Sequence, residues 1–182
     1  VYGGASYHSG ALMTASDAAL NIDLLDIHAL LQLPPPRWLI QDVLPEGDYS
    51  VLWGPSEQGK SFVALDWAAC LALGRPWEEH PCLQGPVVYI AAEGGRGIQK
   101  RVRALMAKYA VNDIPGLYFL VKPLYVREEG VIEAFLDELA DQDIWPGLII
   151  IDTLSRSFGG GEENASADMG EFIDTVTRMA AG

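Results

Sequence analysis

The sequence is poor in basic residues. Its 182 residues include 12 lysines and arginines but 25 aspartates and glutamates, so the formal net charge is −13. A broad surface for nucleic acid needs an excess of positive charge to neutralise the phosphates. The composition therefore argues against such a surface, and any contact with nucleic acid has to rely on a few basic residues in a restricted place.

Cysteine and histidine are also scarce, and long apolar runs are absent. Cys70 and Cys82 stand in no metal-ligand spacing, and we expect both thiols to be reduced and structural. His8, His28 and His80 follow no pattern, so we assign them no functional role. No apolar run approaches the roughly 18 residues of a membrane span, and the N-terminus lacks the segments of a signal peptide. We therefore expect no membrane partner and a cytoplasmic location.

One stretch carries glycine, lysine and serine at a fixed spacing. It fits the pattern G-x-x-x-x-G-K-[ST], the P-loop or Walker A motif, and consists of Gly54, Pro55, Ser56, Glu57, Gln58, Gly59, Lys60 and Ser61. Glycines let successive backbone N–H groups approach a phosphate closely. Lys60 can then contact the β- and γ-phosphates, and the Ser61 hydroxyl suits Mg²⁺. We predict nucleotide binding by these residues together with Phe62.

The flanking segments decide between a P-loop and a plain glycine-rich turn that caps a helix. Tyr49–Trp53 is a β-prone apolar run, and Phe62–Leu73 is helix-like and ends at Gly74. A P-loop requires a strand before it and, after it, a helix whose first N–H groups point at the phosphates. The context therefore predicts strand, loop and helix in that order, and it favours nucleotide binding.

The rest of the chain alternates strand-like and helix-like segments. The predicted strands are Pro86–Ala92, Leu117–Val121 and Gly147–Ile151, and the predicted helices are Ile98–Tyr109, Gly130–Ala140 and Asp168–Met179. This alternation predicts an α/β fold, with a mostly parallel sheet and helices on both faces. In the Gly130–Ala140 helix we expect Val131, Phe135, Leu136 and Leu139 to face inward.

We expect two parts along the chain. Residues 1–36 form an N-terminal extension with a short helix, and residues 37–182 form the α/β domain. Thr14 or Ser16 can cap the short helix, and three prolines at 34–36 end it. The predicted apolar face of that helix consists of Leu20, Leu24, Ile27, Leu30 and Leu31.

Asp152 follows an apolar strand, which is the Walker B arrangement. Many strands end in an aspartate that caps a turn or a helix. The P-loop earlier in the chain favours a metal role instead, in which Asp152 holds Mg²⁺ across from Ser61.

Glu93 is a second candidate carboxylate, and we predict that it is catalytic together with Lys60. Many ATPases place a water-activating glutamate directly after the Walker B aspartate, but this chain has Thr153 there. Glu93 follows the Pro86–Ala92 strand, and the carboxyl ends of parallel strands line the ligand crevice. A carboxylate at that place can orient water towards the γ-phosphate. The alternative is a glutamate that caps a helix.

Taken together, these motifs resemble the RecA-like AAA ATPases of the RepA type, which are plasmid and phage replication ATPases related to replicative helicases. The resemblance rests on residues 54–61, 89–94 and 149–156, with further matches at 34–40 and 163–169, and it spans residues 24–182. It implies a RecA-like P-loop NTPase fold, ATP and Mg²⁺ as cofactors, Glu93 as the catalytic carboxylate, and a homo-oligomeric ring, often a hexamer.

The family pattern also contains features that this chain lacks. They are a further strand with a polar γ-phosphate sensor, and an arginine or lysine that reaches the nucleotide of the neighbouring subunit. The resemblance therefore implies a domain truncated at its C-terminus before the sensor strand. We expect it to lack a central strand between the P-loop strand and the Asp152 strand, or to bind nucleotide without turning it over well.

Arg156 and the loop 157–165 lie where RecA-like proteins place a segment that faces the channel or a neighbour. Contact with single-stranded DNA, contact with a neighbouring subunit and a plain flexible loop all stay open, although Glu162 and Glu163 would repel a DNA backbone.

Other basic residues receive simpler interpretations. Arg37 and Trp38 pack either near the adenine or at the edge of the core. We interpret one side of the Ile98–Tyr109 helix as a solvated face; it carries Lys100, Arg101, Arg103 and Lys108.

Three functions are compatible with these residues. The first is ATP hydrolysis coupled to movement on single-stranded DNA, as in a RepA-type replicative DNA helicase or translocase. The second is an ATP-gated loader or regulatory ATPase that acts on a protein partner without unwinding. The third is a small-molecule kinase, which predicts an arginine-rich lid after the third strand. We rank the kinase last because residues 122–129 contain only Lys122 and Arg127 as basic residues.

Overall fold

Apolar runs without alternation become strands that are buried on both faces, and the central strand of this protein is one of them. The computed structural model describes residues 24–93, 95–159 and 166–181. In chain order, its elements are α1 (Ile27–Leu31), β1 (Trp38–Ile40), β2 (Leu44–Pro45), α2 (Lys60–Leu73), β3 (Val87–Ala91), α3 (Gly95–Tyr109), β4 (Leu117–Leu120), α4 (Val131–Asp141), β5 (Leu148–Asp152), α5 (Leu154–Ser157) and α6 (Ser166–Ala181).

Three strands form a parallel sheet in the order β4-β3-β5. Val87 lies opposite Leu117 on one side and opposite Leu148 on the other, and the last pair of the β3–β5 ladder is Ala91 with Asp152. All five residues of β3 are buried, as expected for the central strand. The predicted α/β class with a parallel sheet is confirmed.

Helices cover both faces of the sheet. On one face, α2 and α3 pack over the strands, and the buried side chains there include Leu65, Tyr89 and Leu105. On the other face, α4 and α6 enclose a second apolar cluster that includes Ile90 and Phe172. Each face therefore has its own core, and β3 contributes to both because its side chains alternate.

Two glycines set the ends of α2, the helix that follows the P-loop. Gly59 is its N-cap residue and has a left-handed backbone with φ of 80°. Gly74 ends the helix in the same conformation, and its N–H bonds back to the carbonyls of Cys70 and Leu71. A Cβ on Gly74 would meet the Gln84 side chain at 2.9 Å. The predicted end at Gly74 is confirmed, and the helix starts at Lys60 rather than at Phe62.

The predicted strand Tyr49–Trp53 is wrong. The segment is irregular, and Val51, Leu52 and Trp53 are 69%, 41% and 87% exposed. A strand needs a hydrogen-bonded neighbour, and in the described part of the chain no strand pairs with this segment. The P-loop is therefore anchored through α2 and not through a strand of the sheet.

The helix of the N-terminal extension is shorter than predicted. α1 has five residues, none of them buried, and its N-cap is Asp26. Leu24 lies before the helix, while Thr14, Ser16 and Leu20 lie outside the described residues. The division of the chain at residue 36 stays a prediction.

The inward face of α4 differs from the prediction by one residue. Ile132 and Leu139 are buried, and Val131 and Phe135 pack against the same cluster. Leu136, which we expected inside, is 37% exposed. The four residues that pack inward span roughly 100° of the helix circumference, and Leu136 lies about 40° beyond that arc, at the border with the solvent.

The N-terminal part of the domain supplies a small antiparallel sheet of β1 and β2. Trp38 lies opposite Pro45 in that sheet, and Arg37 forms an ion pair with Glu46 at 2.8 Å. Whether Arg37 and Trp38 also lie near a bound adenine stays a prediction. His80 has a structural role as well, since its Nδ1 lies 2.9 Å from the carbonyl of Gln41.

Both cysteines are free thiols, as predicted, with Cys70 buried and Cys82 half-buried. Over the residues that the structure describes, no helix is long and apolar enough to cross a membrane.

Candidate functional site

The P-loop curls tightly before α2. Glu57 and Gly59 have positive φ angles of 63° and 80°. At the start of α2, Phe62 and Val63 donate their N–H groups to the carbonyl of Gly59 at 2.9 and 3.1 Å. The N–H groups of Lys60 and Ser61 precede this hydrogen-bond ladder and lie at the positive end of the helix dipole. Lys60 Nζ donates to the carbonyl oxygens of Gly54 at 2.8 Å and Pro55 at 2.7 Å. The lysine therefore reaches from the end of the loop back to its beginning.

The Asp152 carboxylate meets the hydroxyl of Tyr89, and Ser61 lies close to the same hydroxyl. Tyr89 lies opposite Ile150 in the β3–β5 ladder, so its side chain shares a face with Asp152 two residues further along β5. The Tyr89 hydroxyl donates to Asp152 Oδ2 at 2.6 Å, and Ser61 is near enough to the phenol to lower its pKa. The structure thus brings together the two residues that the sequence predicts as metal ligands.

The surroundings of Tyr89 keep its hydroxyl protonated. Burial is the main reason that its pKa lies above the usual value of a phenol, and the hydrogen bond to Asp152 and the negative charge of that carboxylate raise the pKa further. Arg101 and the Ser61 hydroxyl act in the opposite direction but are outweighed. Tyr89 therefore donates to Asp152 throughout the physiological pH range.

Glu93 lies at the same edge of the sheet. It comes two residues after the end of β3, and it is exposed. The preceding residue, Ala92, donates its N–H to the carbonyl of Asp152 at 2.8 Å. The structure therefore places Glu93 next to the end of β5, and among the described residues no hydrogen bond fixes its carboxylate. Its part in catalysis stays a prediction.

The basic side of α3 is only partly a solvated face. Lys100 and Arg103 are exposed. The Arg101 guanidinium lies 5.3 Å from the centre of the Phe62 ring, so it stands close to the end of the P-loop. Lys108 turns to α2 and pairs with Asp66 at 2.7 Å. The solvated-face interpretation therefore holds for Lys100, Arg103 and the exposed Lys108, although the Lys108 amine is paired, and it is wrong for Arg101, which packs against Phe62.

A groove of about 360 Å³ runs between α2 and α3 below Phe62. Asp66 in this groove accepts hydrogen bonds from Trp77 Nε1 at 3.1 Å, from Lys108 Nζ and from the Tyr109 hydroxyl at 2.8 Å. Because these donors occupy the carboxylate, Asp66 joins the two helices structurally. The sequence pattern does not single out this residue.

The donor atoms at the P-loop fit magnesium. One carboxylate and one hydroxyl are hard oxygen ligands, and Mg²⁺ is bound by few protein oxygens together with water and phosphate oxygens. Over the described residues, no group of three or more histidines, cysteines, aspartates or glutamates is placed to hold a metal. The site therefore suits a cation that arrives with a phosphate ligand.

A comparison with protein families agrees with this geometry. A family model described as an AAA domain matches residues 16–182. The chain belongs to the AAA domain family. The matched part of this AAA domain includes the P-loop, Glu93 and Asp152. Membership indicates an ATP-binding domain with ATPase activity.

Tyr89 is the residue of the AAA domain site that the sequence motifs do not reveal. The signal available in the sequence is its place inside the apolar run Pro86–Ala92. A tyrosine in a buried strand needs a hydrogen-bond partner for its hydroxyl, because a buried polar atom without a partner is destabilising. That requirement predicts a partner near the strand but does not say which residue it is.

Proposed function

We propose that this AAA domain binds ATP with Mg²⁺ on residues 54–62 and hydrolyses it. The observation that carries the proposal is that Asp152, which accepts from the Tyr89 hydroxyl at 2.6 Å, lies close to Ser61 at the start of α2. This is where a nucleotide on a P-loop needs the protein ligands of its magnesium ion.

Binding follows from the P-loop residues. Without nucleotide, the ammonium of Lys60 donates to the carbonyls of Gly54 and Pro55. When ATP binds, the ammonium leaves these carbonyls and donates to the β- and γ-phosphates. The N–H groups at the start of α2 donate to phosphate oxygens. Ser61 and Asp152 would hold Mg²⁺, which neutralises the charge of the phosphates when bound.

Hydrolysis requires a base for the attacking water, and we assign Glu93 to it. Glu93 accepts a proton from the water while the water oxygen bonds to the γ-phosphorus. The bond between that phosphorus and the β–γ bridging oxygen breaks, and ADP leaves. The exposure of Glu93 at the carboxyl edge of the sheet supports this role, since its side chain has room to turn towards bound nucleotide.

We further propose that hydrolysis powers a RepA-type replicative DNA helicase or translocase that works as a ring, in plasmid or phage replication. The support is the resemblance of the motifs to that group. Arg156 adds to it, because it is exposed on α5 directly after β5 and so lies near the nucleotide edge. There it is a candidate for contact with single-stranded DNA or with a neighbouring subunit. The loop residues 160–165 lie outside the described residues.

A loader or regulatory ATPase is the second candidate. The net charge of −13 favours it, because a protein partner does not require the positive surface that nucleic acid does.

The proposal is tested by ATP hydrolysis with and without single-stranded DNA. We expect Glu93→Gln to keep ATP binding and to lower turnover by about 100-fold or more, as loss of a general base does. Glu129→Gln, at an exposed glutamate elsewhere, is the matched control. Stimulation of the wild type by DNA supports the helicase, and turnover that ignores DNA supports the loader. Normal turnover by Glu93→Gln contradicts the catalytic assignment.

A further inference from the structure

The Tyr89 hydroxyl contacts one of the two side chains to which the proposed function assigns the metal. It donates to Asp152 Oδ2 at 2.6 Å. Tyr89 is 0% exposed and lies in the middle of β3, between two paired strands. Its ring also packs against Phe119, with 5.8 Å between the ring centres. The position of the hydroxyl is therefore fixed by the sheet and the core.

The direction of this hydrogen bond leaves an acceptor position for a cation. A phenol has one proton to donate, and Tyr89 gives it to Oδ2 of Asp152. Oδ1 of the same carboxylate takes no part in this bond. Hard oxygen acceptors of this kind are what Mg²⁺ or its bound water takes.

We propose that Tyr89 is a positioning residue for magnesium, whose hydroxyl holds the Asp152 carboxylate in one orientation with its Oδ1 free for the cation. The inference rests on the proposed function, because it requires that Mg²⁺ binds with ATP at this site. Residues that orient metal ligands change metal affinity by about 10–100-fold when they are removed. Tyr89 therefore acts on the magnesium requirement of nucleotide binding.

Two substitutions of the same chemical kind separate this role from packing. Tyr89→Phe keeps the ring against Phe119 and removes the oxygen. Tyr109→Phe is the matched control, because the Tyr109 hydroxyl also donates to an aspartate, Asp66. Asp66 lies more than one helical turn further along α2 than Ser61. The control loses the same kind of hydrogen bond without touching Ser61 or Asp152.

The experiment measures the affinity of a fluorescent ATP analogue over a series of Mg²⁺ concentrations. We expect the Mg²⁺ concentration for half-maximal gain in affinity to rise by about tenfold in Tyr89→Phe and to stay at the wild-type value in Tyr109→Phe. We also expect Tyr89→Phe to add little in an Asp152→Ala background, because Tyr89 acts largely through that carboxylate.

The outcomes distinguish the inference from the proposed function. An unchanged Mg²⁺ requirement in Tyr89→Phe, with a raised requirement in Asp152→Ala, contradicts the inference and leaves the proposed function in place. An equal loss of affinity with and without Mg²⁺ in Tyr89→Phe indicates a packing role and also contradicts the inference. If the wild type shows no nucleotide binding that depends on Mg²⁺, the proposed function itself is wrong.

A second measurement covers the case that Tyr89→Phe does not fold. Fluorotyrosine introduced at position 89 alone keeps the hydroxyl and the ring. We expect its fluorine resonance in the nucleotide-bound protein to move when Mg²⁺ is added, while the same label at position 109 does not move. A resonance at position 89 that ignores Mg²⁺ overturns the inference.

Discussion

At the scale of single residues, two tyrosine hydroxyls each need an acceptor for their proton, and each finds an aspartate. The Tyr89 hydroxyl donates to Asp152 and the Tyr109 hydroxyl donates to Asp66. Burial is the main cause that raises the pKa of each. The hydrogen bond to Asp152 raises the pKa of Tyr89 further, and hydrogen bonds to Cys70 and Asp66 do so for Tyr109. Each hydroxyl therefore stays a donor at neutral pH.

These raised pKa values predict a loss of stability at alkaline pH. The unfolded chain releases the two protons near the usual value of 10.0, before the folded protein does. The stabilisation is therefore complete below that pH and is lost as the pH rises above it. Above that pH, we expect the urea midpoint to fall more steeply with rising pH in the wild type than in a Tyr89→Phe/Tyr109→Phe double variant. Equal slopes in the two proteins would contradict this account.

Asp66 gives a second prediction at this scale. Its side chain is 13% exposed, and its removal leaves the donors of Trp77 and Tyr109 without their acceptor. We expect Asp66→Ala to lower the free energy of unfolding by about 2–4 kcal/mol, measured by urea denaturation. Asp66→Asn should be milder because it keeps an acceptor oxygen. Asp137→Ala, on the exposed side of α4, is the control, and an effect of Asp66→Ala no larger than the control's would disprove the structural role.

At the scale of elements, local patterns predict some parts well. The run Pro86–Ala92 is apolar without alternation, and it becomes the central strand β3. The helix α2 ends at Gly74 because a residue with a Cβ atom would clash with Gln84 in the left-handed conformation of this cap, and glycine has none. In contrast, Tyr49–Trp53 has the composition of a strand but is not one. Strand formation depends on a paired neighbour, and composition does not report whether that neighbour is present.

The residues of the candidate site also divide into those that the sequence predicts and those that it does not. Lys60, Ser61 and Asp152 can be predicted because each belongs to a motif with a fixed spacing or a fixed place at the end of a strand. Tyr89 and Arg101 cannot, because their contacts with Asp152 and Phe62 join segments that are far apart in the sequence. Those contacts depend on which strands pair and how α3 packs on α2.

The inward face of α4 can be tested with two substitutions. Ile132 is 7% exposed and Leu136 is 37% exposed. We expect Ile132→Ala to lower the free energy of unfolding by about 2–4 kcal/mol, because it opens a cavity beside the sheet. Leu136→Ala should change it by less than about 1 kcal/mol. If urea unfolding shows a greater loss of stability for Leu136→Ala than for Ile132→Ala, Leu136 faces inward as the sequence pattern predicts.

At the scale of the whole molecule, the site is assembled from three separate stretches of the chain. The P-loop arrives with α2, Asp152 ends β5, and Glu93 follows β3. The β3–β5 ladder fixes Asp152 and Glu93 relative to each other, and the Tyr89 hydroxyl, which donates to Asp152, lies close to Ser61. The central claim is therefore that this edge of the AAA domain binds ATP through the P-loop.

The measurement that tests this claim most directly is a calorimetric titration of the wild type and of Lys60→Ala with ATP and Mg²⁺. Lys60 supplies charge-assisted hydrogen bonds to two phosphates, each worth about 1.5–3 kcal/mol, so we predict that its loss weakens binding by about 100-fold or more. Lys100→Ala, at an exposed lysine of α3, should bind as the wild type does. Equal affinity of Lys60→Ala and the wild type for ATP would contradict the claim.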